Sequence, residues 1–78
     1  MFSVNDLQCG VVFHSGRNCA TKERAMEQCG EMLIEGSDYE TEKDYNTTCK
    51  LLKTNPEEIM DIFQAEVFEH DKEYEECF

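Results

Sequence analysis

Residues 21–36 read TKERAMEQCGEMLIEG, and the fold is decided on this stretch. Ala25, Met26, Cys29, Met32 and Leu33 recur at steps of three and four, the spacing of one helical face. Thr21 stands where an N-cap belongs and Gly36 where a helix stops. Glu23, Glu27, Glu31 and Glu35 repeat every four residues, a charged stripe displaced from the apolar one. Gly30 in the middle costs about 1 kcal/mol against Ala unless a neighbouring backbone packs on it. The expectation is a helix over 21–36 with one buried face.

Upstream, Phe2, Val4 and Leu7 lead to Cys9-Gly10, then to Val11-Val12-Phe13 and to His14-Ser15-Gly16. Short β-branched and aromatic runs bounded by turn residues read as strands, so residues 1–20 are expected to form a β-hairpin. A lone hairpin is barely stable in water, and this one must lay a face on the helix.

Downstream, Ser37 and Glu40 have the spacing of a capping box, which predicts a helix over 38–54 with Tyr45, Cys49 and Leu52 on its apolar side. Asn55-Pro56-Glu57-Glu58 is the sharpest local signal: a capping Asn, Pro at the first helical position, and two carboxylates at the positive end of the dipole. A helix is expected from 56 to 78, with Ile59, Phe63, Val67, His70, Tyr74 and Phe78 on one arc. Glu66 and Glu73 intrude on the edge of that arc. The alternative is a break near Gln64, with Val67-Phe68 returning as a short extended segment. The expected architecture is α+β: an N-terminal β-hairpin packed on two or three helices in a single domain, 1–78.

Seventy-eight residues and 9.1 kDa leave room for one domain. Leu, Ile, Val and Phe number 16 of 78, on the boundary of about 20% that separates folded from disordered chains of high net charge. Met, Tyr and Cys raise the apolar share to 40%, enough for a small core. A folded but marginal domain follows.

Eighteen acidic residues against seven basic ones give a net charge of −11 and a pI near 4.4. A nucleic-acid binder usually needs a basic face, and an electrostatic membrane anchor needs Lys/Arg clusters, so the expectation is no direct nucleic-acid binding and no membrane anchor. No run approaches the length of a membrane span and no signal peptide is visible, which makes the cytoplasm of a host cell the expected location.

Five cysteines stand at 9, 19, 29, 49 and 77. The odd count points to a reduced setting, where free Cys acts as a small buried hydrophobe. Zinc ligands usually come as C-x₂₋₄-C or H-x₃₋₅-H pairs, and neither occurs. Cys9 and His14 are the nearest substitute and would need Cys19 or Cys29 brought to them by the fold. Cys77, close to the C-terminus, offers a route to a disulfide-linked dimer. No phosphate-binding glycine loop and no nucleophile elbow occurs, and a Cys–His nucleophile built on His14 or His70 would still need an oriented base and a pocket. The chain is expected to be non-enzymatic, with no cofactor and no metal.

The charge is unevenly placed. Residues 1–37 carry a net −2, residues 38–78 a net −9, and residues 57–78 a net −8 with Lys72 the lone base. That exceeds what solubility needs, about 2–8 charges for a whole small domain. If 57–78 is helical, Glu58, Asp61, Glu69 and Glu76 fall on the solvent side with Glu57, Asp71 and Glu75 beside them, at the 5.4 Å spacing of helical turns. Glu66 and Glu73 suit a recognition helix better than a buried one. These nine carboxylates are the candidate partner-binding residues, a folded row able to sit in a cationic groove built for phosphates.

In size and charge the chain is similar to the small acidic inhibitors that phages and mobile elements encode, among them DNA mimics directed at restriction, CRISPR or transcription machinery. The likeness rests on no motif. It implies an inhibitor that occludes a basic surface on a nucleic-acid-handling protein. Two other readings stand beside it: a homodimeric assembly module, using the hairpin edge and Met-rich helix faces, with its acids merely solvated; and a zinc-stapled domain.

Overall fold

The computed structural model describes residues 1–74. Its elements follow as β1 (Phe2–Asp6), α1 (Lys22–Glu35), α2 (Glu42–Thr54), α3 (Pro56–Ile62) and β2 (Ala65–Glu69), an α+β arrangement of three helices and a two-stranded antiparallel sheet.

Helix α1 forms as its spacing predicts. The Thr21 hydroxyl accepts from the Arg24 N–H at 3.1 Å, and the Gly36 N–H donates to the Met32 carbonyl at 3.0 Å. Ala25, Met26, Cys29 and Ile34 are buried, while Met32 and Leu33 pack beside them half-covered. Gly30 is a seat for Leu52 of α2: a Cβ there would lie 2.4 Å from Leu52 Cδ1. A side chain, rather than a backbone, takes the space.

The expected hairpin over 1–20 forms only in fragments. The ladder partner of β1 is β2, in the register Phe2↔Glu69, Val4↔Val67 and Asp6↔Ala65. Residues 11–19 do return along the other side of β1, through bridges Asn5↔Val12 and Phe2↔Cys19. Between these bridges β1 advances three residues and the return seven, so a loop is thrown out around residues 14–17. Ser15, Gly16, Arg17 and Asn18 are turn formers that cannot sustain a ladder. Gly16, at φ +74°, uses the loop to press onto α1, where a Cβ would lie 2.3 Å from the Ala25 carbonyl oxygen. β1 is hydrogen-bonded on both sides: the backbones of Phe2, Val4 and Asp6 bond the return, and Met1 and Leu7 bond His70 and Gln64 beyond the ends of β2.

The helix expected from 56 to 78 ends at Ile62. Phe63 closes it with an N–H to the Ile59 carbonyl at 3.1 Å, and Gln64, at φ +54°, turns the chain into β2. The break near 64 is therefore what occurs, and Val67-Phe68 lie in a strand. Continuing the helix would have carried Glu66 into the apolar arc. As a strand, the same residues put Ala65 and Val67 on the core side and Glu66 on the other.

Two caps also differ from expectation. Ser37 and Glu40 form no capping box, because the Ser37 hydroxyl donates to the Leu33 carbonyl at 2.8 Å and so finishes α1. Thr41 caps α2 instead, accepting from the Asp44 N–H at 3.1 Å. Asn55 ends α2 through its N–H to the Leu51 carbonyl and opens α3 without a side-chain hydrogen bond, leaving the start to Pro56. The core gathers Val4, Cys29, Ile34 and Ile59, all but fully buried, with Met26, Leu52, Met60 and Ala65 around them.

Candidate functional site

Of the sixteen Asp and Glu residues within 1–74, all but Asp6 are exposed. The fold does not arrange the expected ones in a single row. Glu57, Glu58 and Asp61 lie on or beside the short α3, Glu66 and Glu69 on opposite faces of β2, and Asp71 and Glu73 beyond it. Glu75 and Glu76, like Cys77 and Phe78, lie outside the described residues. Among the described residues a helical repeat running on from 57 is not available once the chain turns at Gln64. Glu57 meets Lys22 at 3.5 Å, an exposed pair worth at most about 1 kcal/mol.

The more ordered acidic row lies on α1. Glu23, Glu27, Glu31 and Glu35 form one wall of a groove of about 750 Å³, with Tyr45, Cys49 and Lys53 of α2 along the other. Its lining also includes Ile34, Leu52 and Pro56. The stripe was visible in the sequence as a four-residue repeat. The net charge of residues 1–37 conceals it, because Arg17, Lys22 and Arg24 dilute the sum without lining the groove.

Tyr45 is 36% exposed in this groove and meets Tyr39 edge-on, ring centroids 5.4 Å apart. Its phenol is raised above the ordinary tyrosine range, chiefly by a side-chain hydrogen bond with Cys49, with Glu35 and Tyr39 adding to it. The groove therefore presents a neutral aromatic foot beside fixed carboxylates.

The sheet side is organised differently. Ser3 is fully buried. Its hydroxyl accepts from the Asn18 N–H at 2.9 Å and lies 2.7 Å from His70 Nε2. His70 Nδ1 sits 2.7 Å from the Lys72 carbonyl, which can only accept. That carbonyl calls for a proton on Nδ1, and in the neutral ring the Ser3 hydroxyl then donates to Nε2. Asn18, at φ +57°, exchanges two 2.9 Å hydrogen bonds with the Tyr74 backbone. The rings of Phe68, His70 and Tyr74 pack with centroids 4.7–5.9 Å apart. A Ser–His contact of this kind is the geometry of a nucleophile and its base, but no surface of Ser3 is open to a substrate. The arrangement is a clasp between the two ends of the described chain.

The thiols show a similar sorting. Cys9 is exposed, Cys49 half-buried, and Cys19 and Cys29 buried, all four unbridged. Burial, with Asp6 adding, pushes the Cys29 thiol from its ordinary 9.0 up to about 12, which keeps it neutral and inert. Among the described residues no three His, Cys, Asp or Glu side chains gather as a metal-binding group, so Cys9 and His14 are not joined by Cys19 and Cys29 in one. Met26 and Met60 are core residues, Met32 is half-buried and Met1 exposed, and β1 is bonded on both sides. Among the described residues no helix is long and apolar enough to cross a membrane.

No protein-family model, curated protein or solved structure matches this chain significantly.

Proposed function

We propose that this chain is a non-enzymatic inhibitor that binds a basic nucleic-acid-handling protein, such as a CRISPR, restriction or transcription component, and occludes its nucleic-acid site inside the host cell. The reading is carried by one observation: fifteen exposed carboxylates on a body 40 × 25 × 18 Å in extent. Residues 1–74 hold sixteen acids and seven bases, a net −9, or one net charge per about 4.4 Å of the long axis. A single nucleic-acid strand carries one per about 3.4 Å. Projected on its long axis, the whole body carries roughly three-quarters of the linear charge of a strand, with no bases to read.

Occlusion would draw on long-range steering for its association rate and on close carboxylate contacts for its lifetime. Glu58, Asp61, Glu66 and Glu69, with Asp71 and Glu73, are exposed and available to such a partner, as is the α1 row.

The test uses the purified chain as bait in nuclease-treated bacterial lysate, washed at low and then high salt. Capture of a nucleic-acid-binding protein at low salt, release at high salt, and displacement of labelled DNA or RNA from that protein are the expected results. Capture that ignores salt, or a partner that keeps its nucleic acid in the ternary mixture, refutes the reading.

A further inference from the structure

We infer that the groove between α1 and α2 is a docking site for an amphipathic basic helix of the partner, seated by a row of apolar side chains and flanked by Lys or Arg. This deepens the function proposed above and rests on its reading that the partner is basic.

The floor comes first. Tyr45 and Cys49 are incompletely covered, and with Leu52 and Pro56 they leave an apolar trough that no described residue fills. Glu23 to Glu35 spans twelve residues of α1, about 18 Å at 1.5 Å per residue. The groove, about 750 Å³ and open to solvent, can take one row of side chains from an approaching helix, itself about 10–12 Å in diameter.

Charge chooses the occupant. Four glutamates and one lysine line the groove, a net −3 along one channel. Successive glutamates rise about 6 Å, the same interval at which Lys or Arg recurs at i and i+4 on an approaching helix. A second copy of this chain, at −11, would be repelled.

Polarity within the groove adds a direction. Glu35 acts on Tyr45 at one end while Gly30 takes Leu52 further along, so α1 and α2 run in opposite senses. Lys22 touches Glu57 at the other end, which places Lys53 and Pro56 near the start of α1. The Tyr45–Glu35 end accepts only apolar and cationic groups, whereas the Lys53 end tolerates one acid.

The experiment titrates the isotope-labelled full chain with a synthetic helical peptide carrying Leu at i, i+3, i+4 and i+7 and Lys elsewhere. Oligolysine of equal charge is the control. Amide shifts confined to Glu27, Glu31, Tyr45 and Cys49 and their neighbours are expected. Two double variants of equal charge change complete it, E27K/E31K and E66K/E69K, all at exposed positions and checked for folding by circular dichroism. The first should weaken the peptide by at least about tenfold and the second by less than about threefold.

Equal losses from both variants, equal affinity for oligolysine, or no binding of the peptide overturns the groove. Shifts on Glu58, Asp61 and Glu66 overturn it too while leaving the proposed function intact, since a basic partner would then be using the other acids. Failure of the lysate test with a positive peptide result has the opposite meaning: the groove stands and the nucleic-acid-handling partner does not.

Discussion

The sheet side of this molecule and its α1–α2 side treat polar groups in opposite ways. On the sheet side, His70, Ser3, Asn18 and the Tyr74 backbone are joined in one run of hydrogen bonds, and β1 is hydrogen-bonded along both edges. On the helical side, Glu23, Glu27, Glu31 and Glu35 face solvent beside an apolar trough that no described residue fills. A domain of this size has a core that rarely supplies more than about 3–5 kcal/mol, so one side has to hold the fold if the other is left open for a partner. The proposed recognition face and the hydrogen-bonded clasp are thus separated in space.

That separation can be broken most sharply at Gly16. An alanine there must adopt φ +74° and place its Cβ against the backbone oxygen of Ala25, so G16A should cost about 3 kcal/mol or more and abolish cooperative thermal unfolding. Gly10, at φ +73° with nothing within 4 Å, is the matched control: G10A should cost only about 1 kcal/mol. Equal effects would mean that the loop's docking on α1 contributes nothing.

Opening the clasp is next in size. S3A leaves the half-buried Asn18 N–H without its acceptor and removes the His70 contact, for an expected loss of about 2 kcal/mol in urea unfolding. Peptide binding in the groove should be unchanged while the domain stays folded. A parallel loss of binding would show that the two sides are coupled.

Cys29 sharpens the comparison from the core between them, and its effect is confined to alkali. The thiol titrates near 9.0 when unfolded and near 12 when folded, so between these values the unfolded state has released a proton that the folded state retains. Stability is complete below about pH 9 and falls as pH rises towards about 12. C29A should be less stable at neutral pH, from the lost packing, yet flatter across that alkaline window in chemical denaturation.

The smallest effects belong to the open face. E27K and E66K, both at exposed positions, should each move stability by less than about 0.5 kcal/mol. Their binding consequences should nevertheless differ strongly, because only Glu27 lines the groove.

Helix α1 was legible in the sequence because everything that makes it is local: Thr21, Gly36 and an apolar step of three and four. Pro56 announced α3 for the same reason. The choice between Ser37 and Thr41 as the cap of α2 was not legible, since both present a hydroxyl at a helix start and only the course of α1 consumes Ser37. The groove was half-legible. Its glutamate wall is a four-residue repeat, but its opposite wall belongs to Tyr45 and Cys49, and nothing in the order of residues says that they face it.

The sequence by itself determined that this chain is acidic, small, helix-rich and preceded by a β-forming segment, because charge, cap residues and periodicity act over a few residues. Only the tertiary structure decided that Phe2 pairs with Glu69 rather than closing a hairpin with its neighbours. Residues 65–69 could continue a helix or become a strand, and their own propensities leave the two close. What tips them is β1, sixty residues away, whose hydrogen-bonding edge would otherwise stand empty and whose Val4 needs Val67 opposite it to complete the core. Once that strand forms, the acids of the C-terminal half are scattered over several surfaces, and the ordered acidic row that remains is the one on α1.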